Sequence, residues 1–374
     1  MEATLFLYFF ITFICTVTTV FIPKQIYEKN TYTFKYDFKY FSYSFIPIII
    51  YTLFWGLRDQ VGADYQGYAD MFYTIEYDNE RIEPIYLYLN ILLRESGFSH
   101  ISIFLITSYI SIWSLFYIAK YESKNFSIFV IFFFFTTSIV LFYQNGIRQS
   151  IAFSFLIMLI SCINKEHIIK ILVLGLIAWG FHKSVLVPCV ILMLLYYIPQ
   201  IKLNKYIIII VFIFTTFWGH HLYDYIFSKF SFMFNLLGYT GYEDNIDNFE
   251  KNIEFSSGLG RLLKLIINCI IIFYQEIFFS PKEKKAMYFF YIFFLLGILL
   301  EPIVMENGIM KRLNIYFINT RFIIYAYFCT QLLKSPKATN QILMILLILA
   351  HIMLFSAAIL SNSNSCVPYK SIFS

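Results

Sequence analysis

Long apolar blocks run through this chain, separated by short polar linkers. They lie near 3–22, 41–57, 100–118, 126–143, 147–163, 168–182, 184–198, 206–220, 259–279, 286–300, 312–333 and 341–360. A helix crossing the hydrocarbon core needs about 20 mostly apolar residues. The pattern therefore predicts an all-α polytopic integral membrane protein with about twelve transmembrane helices. Ten to thirteen is the range, because 147–163 and 168–198 contain short or abutting blocks. Residues 84–93 (PIYLYLNILL) are too short to span and read as a helix lying at the interface. The first block lacks a basic leader and a small-residue cleavage site, so it reads as a retained span. One transmembrane domain over 1–374 is expected, with two longer extracytoplasmic loops, 58–99 and 221–258.

The linkers give the orientation. If 24–40 faces the cytoplasm, alternate linkers hold 15 lysines: Lys24, Lys29, Lys35, Lys39, Lys120, Lys124, Lys165, Lys170, Lys202, Lys205, Lys282, Lys284, Lys285, Lys334 and Lys337. That is the positive-inside bias, and both ends of the chain then face outward. Every arginine falls on the other side: Arg58, Arg81, Arg94, Arg148, Arg261, Arg312 and Arg321. Snorkelling or pairing with acids accounts for any one of them. Snorkelling, however, is served by lysine equally well. A planar fork of donors suits bidentate contact with carboxylate or phosphate, so the outer face reads as built to hold an anion. Arg261 and Lys264 are three apart and share a helix face. Arg312 and Arg321, nine apart, face one ligand only if a helix begins after Arg312.

Composition narrows the class further. Hydrophobic residues make up 59% of the chain and charged residues 14%, with a mean hydropathy of +0.69. Soluble domains are about a quarter charged, which excludes a soluble globule. The net charge of +5 comes from lysines scattered over short linkers, not from a nucleic-acid-binding patch. The six cysteines show no CxxC spacing, and five lie in or beside apolar blocks, so they read as packing groups. The sequence has no Walker A, no GxGxxG opening a helix and no HExxH. No cofactor or metal is expected. The cytoplasmic linkers are too short for a catalytic domain, which leaves the outer face and a substrate delivered through lipid. An activated lipid-linked donor fits that location.

Four outer-face constellations carry candidate chemistry. Arg58, Asp59, Gly62, Asp64, Tyr65 and Tyr68 follow a block end, where Gly62 allows a tight turn toward Arg58. An ordinary Asp turn explains the same spacing. Gln144–Gln149 (QNGIRQ) forms a turn that delivers Arg148 to the rim. Phe181–Ser184 (FHKS) places His182 at a helix end, as a base near neutral pH or as a structural histidine. Glu301-Pro302 through Lys311-Arg312 is the fourth.

These pieces resemble a family. R58-D-Q-V-G-A-D-Y-Q-G-Y-A-D-M-F72 is similar to the RxxxVGxDYxxYxxxF stretch of EpsG-like, Wzy-type polysaccharide polymerases. E83-P-I-Y-L-Y-L-N90 resembles their EPxxxxLN segment, N145-G-I-R-Q-S-I-A152 their NGIRQxIA element, and F181-H-K-S184 their (F/I)HxS element. Beyond residue 184 the likeness is the hydropathy profile and an Arg-x3-Tyr, here Arg312 to Tyr316. Position 63 carries Ala where the family usually has Thr, and Lys183 replaces an aromatic or small residue.

The resemblance implies joining of oligosaccharide repeat units carried on undecaprenyl diphosphate, at the outer face of the bacterial inner membrane. It implies diphosphate contacts from Arg148, Arg312 and Arg58, and a second phosphate site from Arg261 with Lys264. Asp64 or His182 would take the proton of the acceptor hydroxyl, and Tyr65, Tyr68 and the 221–258 loop would stack on sugars. That loop reads equally well as an interfacial amphipathic segment. Partners would be the lipid-linked oligosaccharide, the membrane and, optionally, a chain-length regulator protein, with no nucleic acid. The competing readings are an O-antigen ligase-like glycosyltransferase, a lipid-linked oligosaccharide flippase and a scaffold of an export complex.

Overall fold

The computed structural model describes residues 2–23, 34–79, 81–120, 122–163, 168–236, 258–279, 285–305 and 308–373. Among the described residues the fold is 81% helix without strands, and a helix satisfies its own backbone polar groups, as a bilayer requires. Two compact units divide it: Met1–His182 with Tyr325–Ser374, and Lys183–Ile324.

The first unit contains α1 (Glu2–Val20), α2 (Phe34–Gly56), α3 (Tyr65–Thr74), α4 (Pro84–Glu95), α5 (Ile101–Ala119), α6 (Lys124–Thr136), α7 (Ile139–Tyr143), α8 (Ile147–Cys162) and α9 (Ile168–Phe181). The second holds α10 (Leu186–Tyr197), α11 (Lys205–Leu236), α12 (Gly258–Phe273), α13 (Lys285–Val304) and α14 (Gly308–Ile318). Then come α15 (Arg321–Lys334) and α16 (Ala338–Leu360).

Five stretches among the described residues are long and apolar enough to cross a membrane: α1, α5, Lys205–Leu222 of α11, α13 and α16. Shorter apolar helices accompany them, including α6, α8 and α9. The expected twelve spans assumed unbroken blocks, and local backbone breaks explain part of the difference. Ser138, at φ +64°, ends α6 and starts α7 inside the 126–143 block. A turn at Asn319-Thr320 splits the 312–333 block into α14 and α15. The expected loop 58–99 carries two short helices, α3 and α4. The expected loop 221–258 begins as a continuation of α11 to Leu236, and 237–257 lie outside the described residues.

Packing explains which helices hold the first unit together. α8 is buried along almost its whole length and packs on α5 and α9, while α2 packs on α5 and α1. Hydroxyls inside these helices donate to carbonyls one turn back, as Ser154 does to Ser150, Thr12 to Tyr8 and Ser44 to Tyr40. Such bonds remove the cost of a polar group in an apolar medium. On α16 the residues Ile342, Ile345, Leu346, Leu349 and Met353 are exposed together. A continuous apolar stripe of this kind suits acyl chains, not water.

In the second unit, Gly219 of α11 lies against Pro302 of α13, and Gly297 lets α13 meet α14. A Cβ on Gly297 would sit 2.4 Å from the Ile318 nitrogen. The Asn314 amide donates to the Gly297 carbonyl at 3.1 Å and closes that contact.

Candidate functional site

The stretch from Leu57 to Asp64 folds as a tight turn around the Arg58 side chain. Arg58 is fully buried. Its Nη1 donates to the Trp55 carbonyl at 2.6 Å, its Nε to Val61 at 3.2 Å and its Nη2 to Gln144 at 3.2 Å. The guanidinium carbon lies 4.4 Å from the Phe104 ring centre. Burial pushes the Arg58 pKa down to about 10, which leaves it cationic at neutral pH. Three carbonyl dipoles and an aromatic face solvate that cation in place of water.

Gly62 closes the turn at φ +105°, and a Cβ there would sit 3.1 Å from both the Asn145 Oδ1 and the Gln144 carbonyl. Asn145 is the tie. Its Oδ1 accepts from the Asp64 N–H at 3.2 Å, and its Nδ2 donates to Leu141 and Asn364 carbonyls at 3.2 and 2.9 Å. The VGADY and NGIRQ sequences are thus two halves of one interlocked structure. Asp64 stands at the N-terminus of α3, with its side chain exposed and not capping the helix.

Residues 361–373, after α16, lie along this turn. Gly62 N–H donates to Ser365 O at 2.9 Å, Ala63 to Asn364 at 3.3 Å and Asp59 to Lys370 at 3.0 Å, while Ile372 donates back to Leu57 at 3.0 Å. Tyr369 stacks on Phe54 with ring centres 4.3 Å apart, its hydroxyl donates to the Phe54 carbonyl, and Tyr8 donates to the Cys366 carbonyl. These bonds put the start of α1 and the ends of α2 and α16 on one side of the unit.

Arg148 has a different setting. It sits in the first turn of α8, where Nη1 donates to Glu83 Oε2 at 2.7 Å. The side chains are 24% and 8% exposed, so the arginine reaches solvent and the carboxylate hardly does. The Tyr86 ring centre is 5.7 Å from the Arg148 guanidinium carbon, and Tyr68 is a side-chain hydrogen-bond partner. Arg148 Nε is buried without a partner. Glu83 precedes Pro84, which opens α4 with its fixed φ and no N–H to satisfy. α4 in turn meets α9 at Gly180, where a Cβ would fall 2.4 Å from Ile85. Gly180 is two residues before His182, which is half-buried at the end of α9. Three of the sequence motifs therefore meet at Arg148, and the end of α9 that precedes His182 packs against α4.

Several expected roles change. Tyr65 is buried, its ring stacked on Phe104 at 4.7 Å, so that face is not open to a sugar. Arg58 is enclosed by carbonyls and is out of reach of a diphosphate in this conformation. Tyr68 is half-buried beside Tyr86 and Arg148. Glu83 and Asn145, the first residues of the EPIYLYLN and NGIRQSIA segments, hold Arg148 and the Asp64 turn; their types alone do not reveal a partner so distant in sequence.

In the second unit, Arg261 at the start of α12 donates to the Thr216 carbonyl of α11. Lys264, one turn on, is exposed and within electrostatic range of Arg321 and Glu301. Arg321 opens α15, so it is not on the helix of Arg312. Arg312 is exposed on α14, whereas Asn314 and Tyr316 are buried. Ser184 donates to the Tyr316 hydroxyl at 3.1 Å, which links the FHKS segment to the late Arg-x3-Tyr.

An all-helical membrane protein with a partly exposed arginine at a helix start, backed by a buried carboxylate, is the class that fold and site define. The chain belongs to the EpsG family, which it matches over residues 41–371. No curated protein and no solved structure matches it. Membership of this family points to a polysaccharide polymerase-like, glycosyltransferase-like role.

Proposed function

We propose that the protein joins oligosaccharide repeat units carried on undecaprenyl diphosphate, at the outer face of the bacterial inner membrane. The observation that carries this reading is the meeting of three separated motifs around Arg148, which Tyr68, Glu83 and the Asn145 turn supply. A cation there is about a quarter exposed, oriented by Glu83 and Tyr68, and set at the rim of an apolar helix where a lipid diphosphate would lie.

In the reaction the acceptor hydroxyl oxygen attacks the anomeric carbon of the donor. The carbon–oxygen bond to the diphosphate breaks, and the diphosphate leaves with the bonding pair. Charge grows on the leaving group, so an arginine aimed at it stabilises the transition state more than the ground state. Arg148 takes that role, with Glu83 holding its fork in orientation. The hydroxyl proton passes to Asp64 or His182, both accessible titratable side chains of the motifs. The second-unit cations Arg261, Lys264 and Arg312 supply contacts to a second lipid diphosphate, and Arg321 joins Lys264 there. Arg58 holds the turn that presents Asp64.

The glycan made by a deletion strain tests the reading. Loss of a polymerase leaves single repeat units attached, and the restored gene rebuilds the ladder. A ligase would leave free lipid-linked polymer instead. A flippase would show no polymer when purified protein meets synthetic lipid-linked units. Restoration by Arg148→Lys is expected to fail, since the fork is lost while the charge stays. Normal long chains from both Arg148→Lys and Arg148→Ala would remove Arg148 from the mechanism.

A further inference from the structure

We infer that residues 361–373 act as a strap that positions the Asp64 turn against the Arg148 turn, with Asn145 as its positioning residue. This rests on the polymerase reading. The strap is joined to the turn by four main-chain hydrogen bonds: Asp59 to Lys370, Gly62 to Ser365, Ala63 to Asn364, and Ile372 to Leu57. It is anchored from below by Tyr8 on the Cys366 carbonyl, by Thr4 Oγ1 accepting from the Tyr369 N–H, and by the Tyr369–Phe54 stack.

One side chain connects all three pieces. Asn145 is 7% exposed, holds the Asp64 N–H with its oxygen and spends its amide on Asn364 and Leu141 carbonyls. Arg148 is three residues further along, on the helix that starts directly after Gly146. The register of Asp64 relative to Arg148 is therefore set by a bond network that ends on the strap. The Arg58 fork supports the same turn from its buried side. A strap of this kind contributes no contact to substrate. It fixes the separation between Asp64, one of the two candidate proton acceptors, and the arginine that would hold the leaving diphosphate. A shift of about 1 Å between reacting groups costs roughly a hundredfold in rate.

Purified full-length protein in lipid nanodiscs, given synthetic undecaprenyl-diphosphate-linked repeat units, separates positioning from folding. Asn145→Ala is expected to lower kcat by about tenfold or more in the protein that remains folded, with KM changed by less than about threefold and an unfolding midpoint lowered by only a few degrees. Adding Ala63→Cys and Asn364→Cys to that variant replaces the lost tie by a disulfide. Oxidation should then restore kcat, and reduction should remove it again. Deletion of 361–374 should give the same kcat loss as Asn145→Ala in protein that still inserts. Wild-type kcat in Asn145→Ala, a loss confined to KM or to the unfolding midpoint, or no recovery on oxidation would overturn the strap. Wild-type protein that turns over no substrate sinks the polymerase reading, and the strap with it. Wild-type activity beside a normal Asn145→Ala sinks the strap alone.

Discussion

Arg58 and Arg148 come from two motifs that interlock, yet their surroundings differ in kind. Arg58 has no exposed surface, and three backbone carbonyls take its donors. Arg148 has one carboxylate partner, Glu83, a buried Nε without a partner and about a quarter of its side chain in solvent. Backbone carbonyls cannot move away to admit a ligand without unfolding the turn. A Glu–Arg pair at a rim can rearrange when a more highly charged diphosphate arrives. The same residue type thus serves as an internal staple in one place and as an exchangeable contact in the other.

Substitution at the two positions should separate these roles. Arg58→Ala strands three buried acceptors and opens a void, a cost on the order of 3–5 kcal/mol against a total stability of about 5–15. Little folded protein should reach the membrane, and Arg58→Lys should rescue it poorly because one ammonium cannot span three divergent carbonyls. Membrane accumulation and thermal unfolding in detergent read this directly. Wild-type levels of Arg58→Ala would put Arg58 on the functional side of the comparison. Arg148→Lys should accumulate normally, since Glu83 keeps a cation, while polymer formation falls about a hundredfold, roughly 2.7 kcal/mol of transition-state stabilisation. If its activity fell only in proportion to its abundance, Arg148 would be a second staple.

Much of this arrangement was legible in the sequence, though not evenly. The apolar blocks announce membrane helices because burial of backbone in lipid leaves few alternatives, and the short helix at 84–93 is observed as Pro84–Glu95. Arg148 and His182 stand at helix ends, as the apolar blocks imply, whereas Asp64, expected in a loop turn, opens α3. Tyr65 misleads because an aromatic in a polar loop looks the same whether it faces a sugar or stacks on Phe104. Arg58 misleads for a similar reason: spacing cannot say that carbonyls of Trp55, Val61 and Gln144 converge on it. Nothing in SNSNSCVPYK, residues 361–370, marks it as a neighbour of residue 62, since its bonds are made by main chain and leave no side-chain signature. The count of spans fails at Ser138 and Asn319-Thr320, where polar residues in apolar blocks break helices instead of decorating them.

A smaller effect is expected where the two regions touch. Gly62→Ala forces a side chain into φ +105°, with its Cβ 3.1 Å from Asn145 Oδ1 and the Gln144 carbonyl. Strain of about 1–2 kcal/mol should result, most of it relieved by moving the turn away from α8. The variant should fold, unfold a few degrees earlier and lose more activity than its stability predicts. Equal losses in both would mean that the turn contributes to folding alone and that its distance from Arg148 is immaterial.

The smallest effect tests the staple side from its outer edge. His100, just ahead of α5, has Nε2 3.3 Å from the Tyr65 hydroxyl and Nδ1 3.1 Å from the Tyr73 hydroxyl, and so braces the ring that covers Arg58. Burial lowers its pKa below the usual 6.5, while Asp59 and Asp70 oppose the shift. With the folded value depressed, protons bind the unfolded chain more readily. The stabilising contribution of His100 is therefore complete above about pH 6.5 and is lost as pH falls through the lowered folded value. Partial exposure screens the effect, so a shallow slope is expected. Unfolding midpoints at pH 7 and pH 5 should differ more for the wild type than for His100→Gln, which keeps both hydrogen-bonding functions without titrating. Arg148→Lys should show the wild-type slope, because the rim pair does not depend on His100. Identical slopes in wild type and His100→Gln would assign the acid sensitivity to carboxylates elsewhere and leave the Tyr65 brace without a part in it.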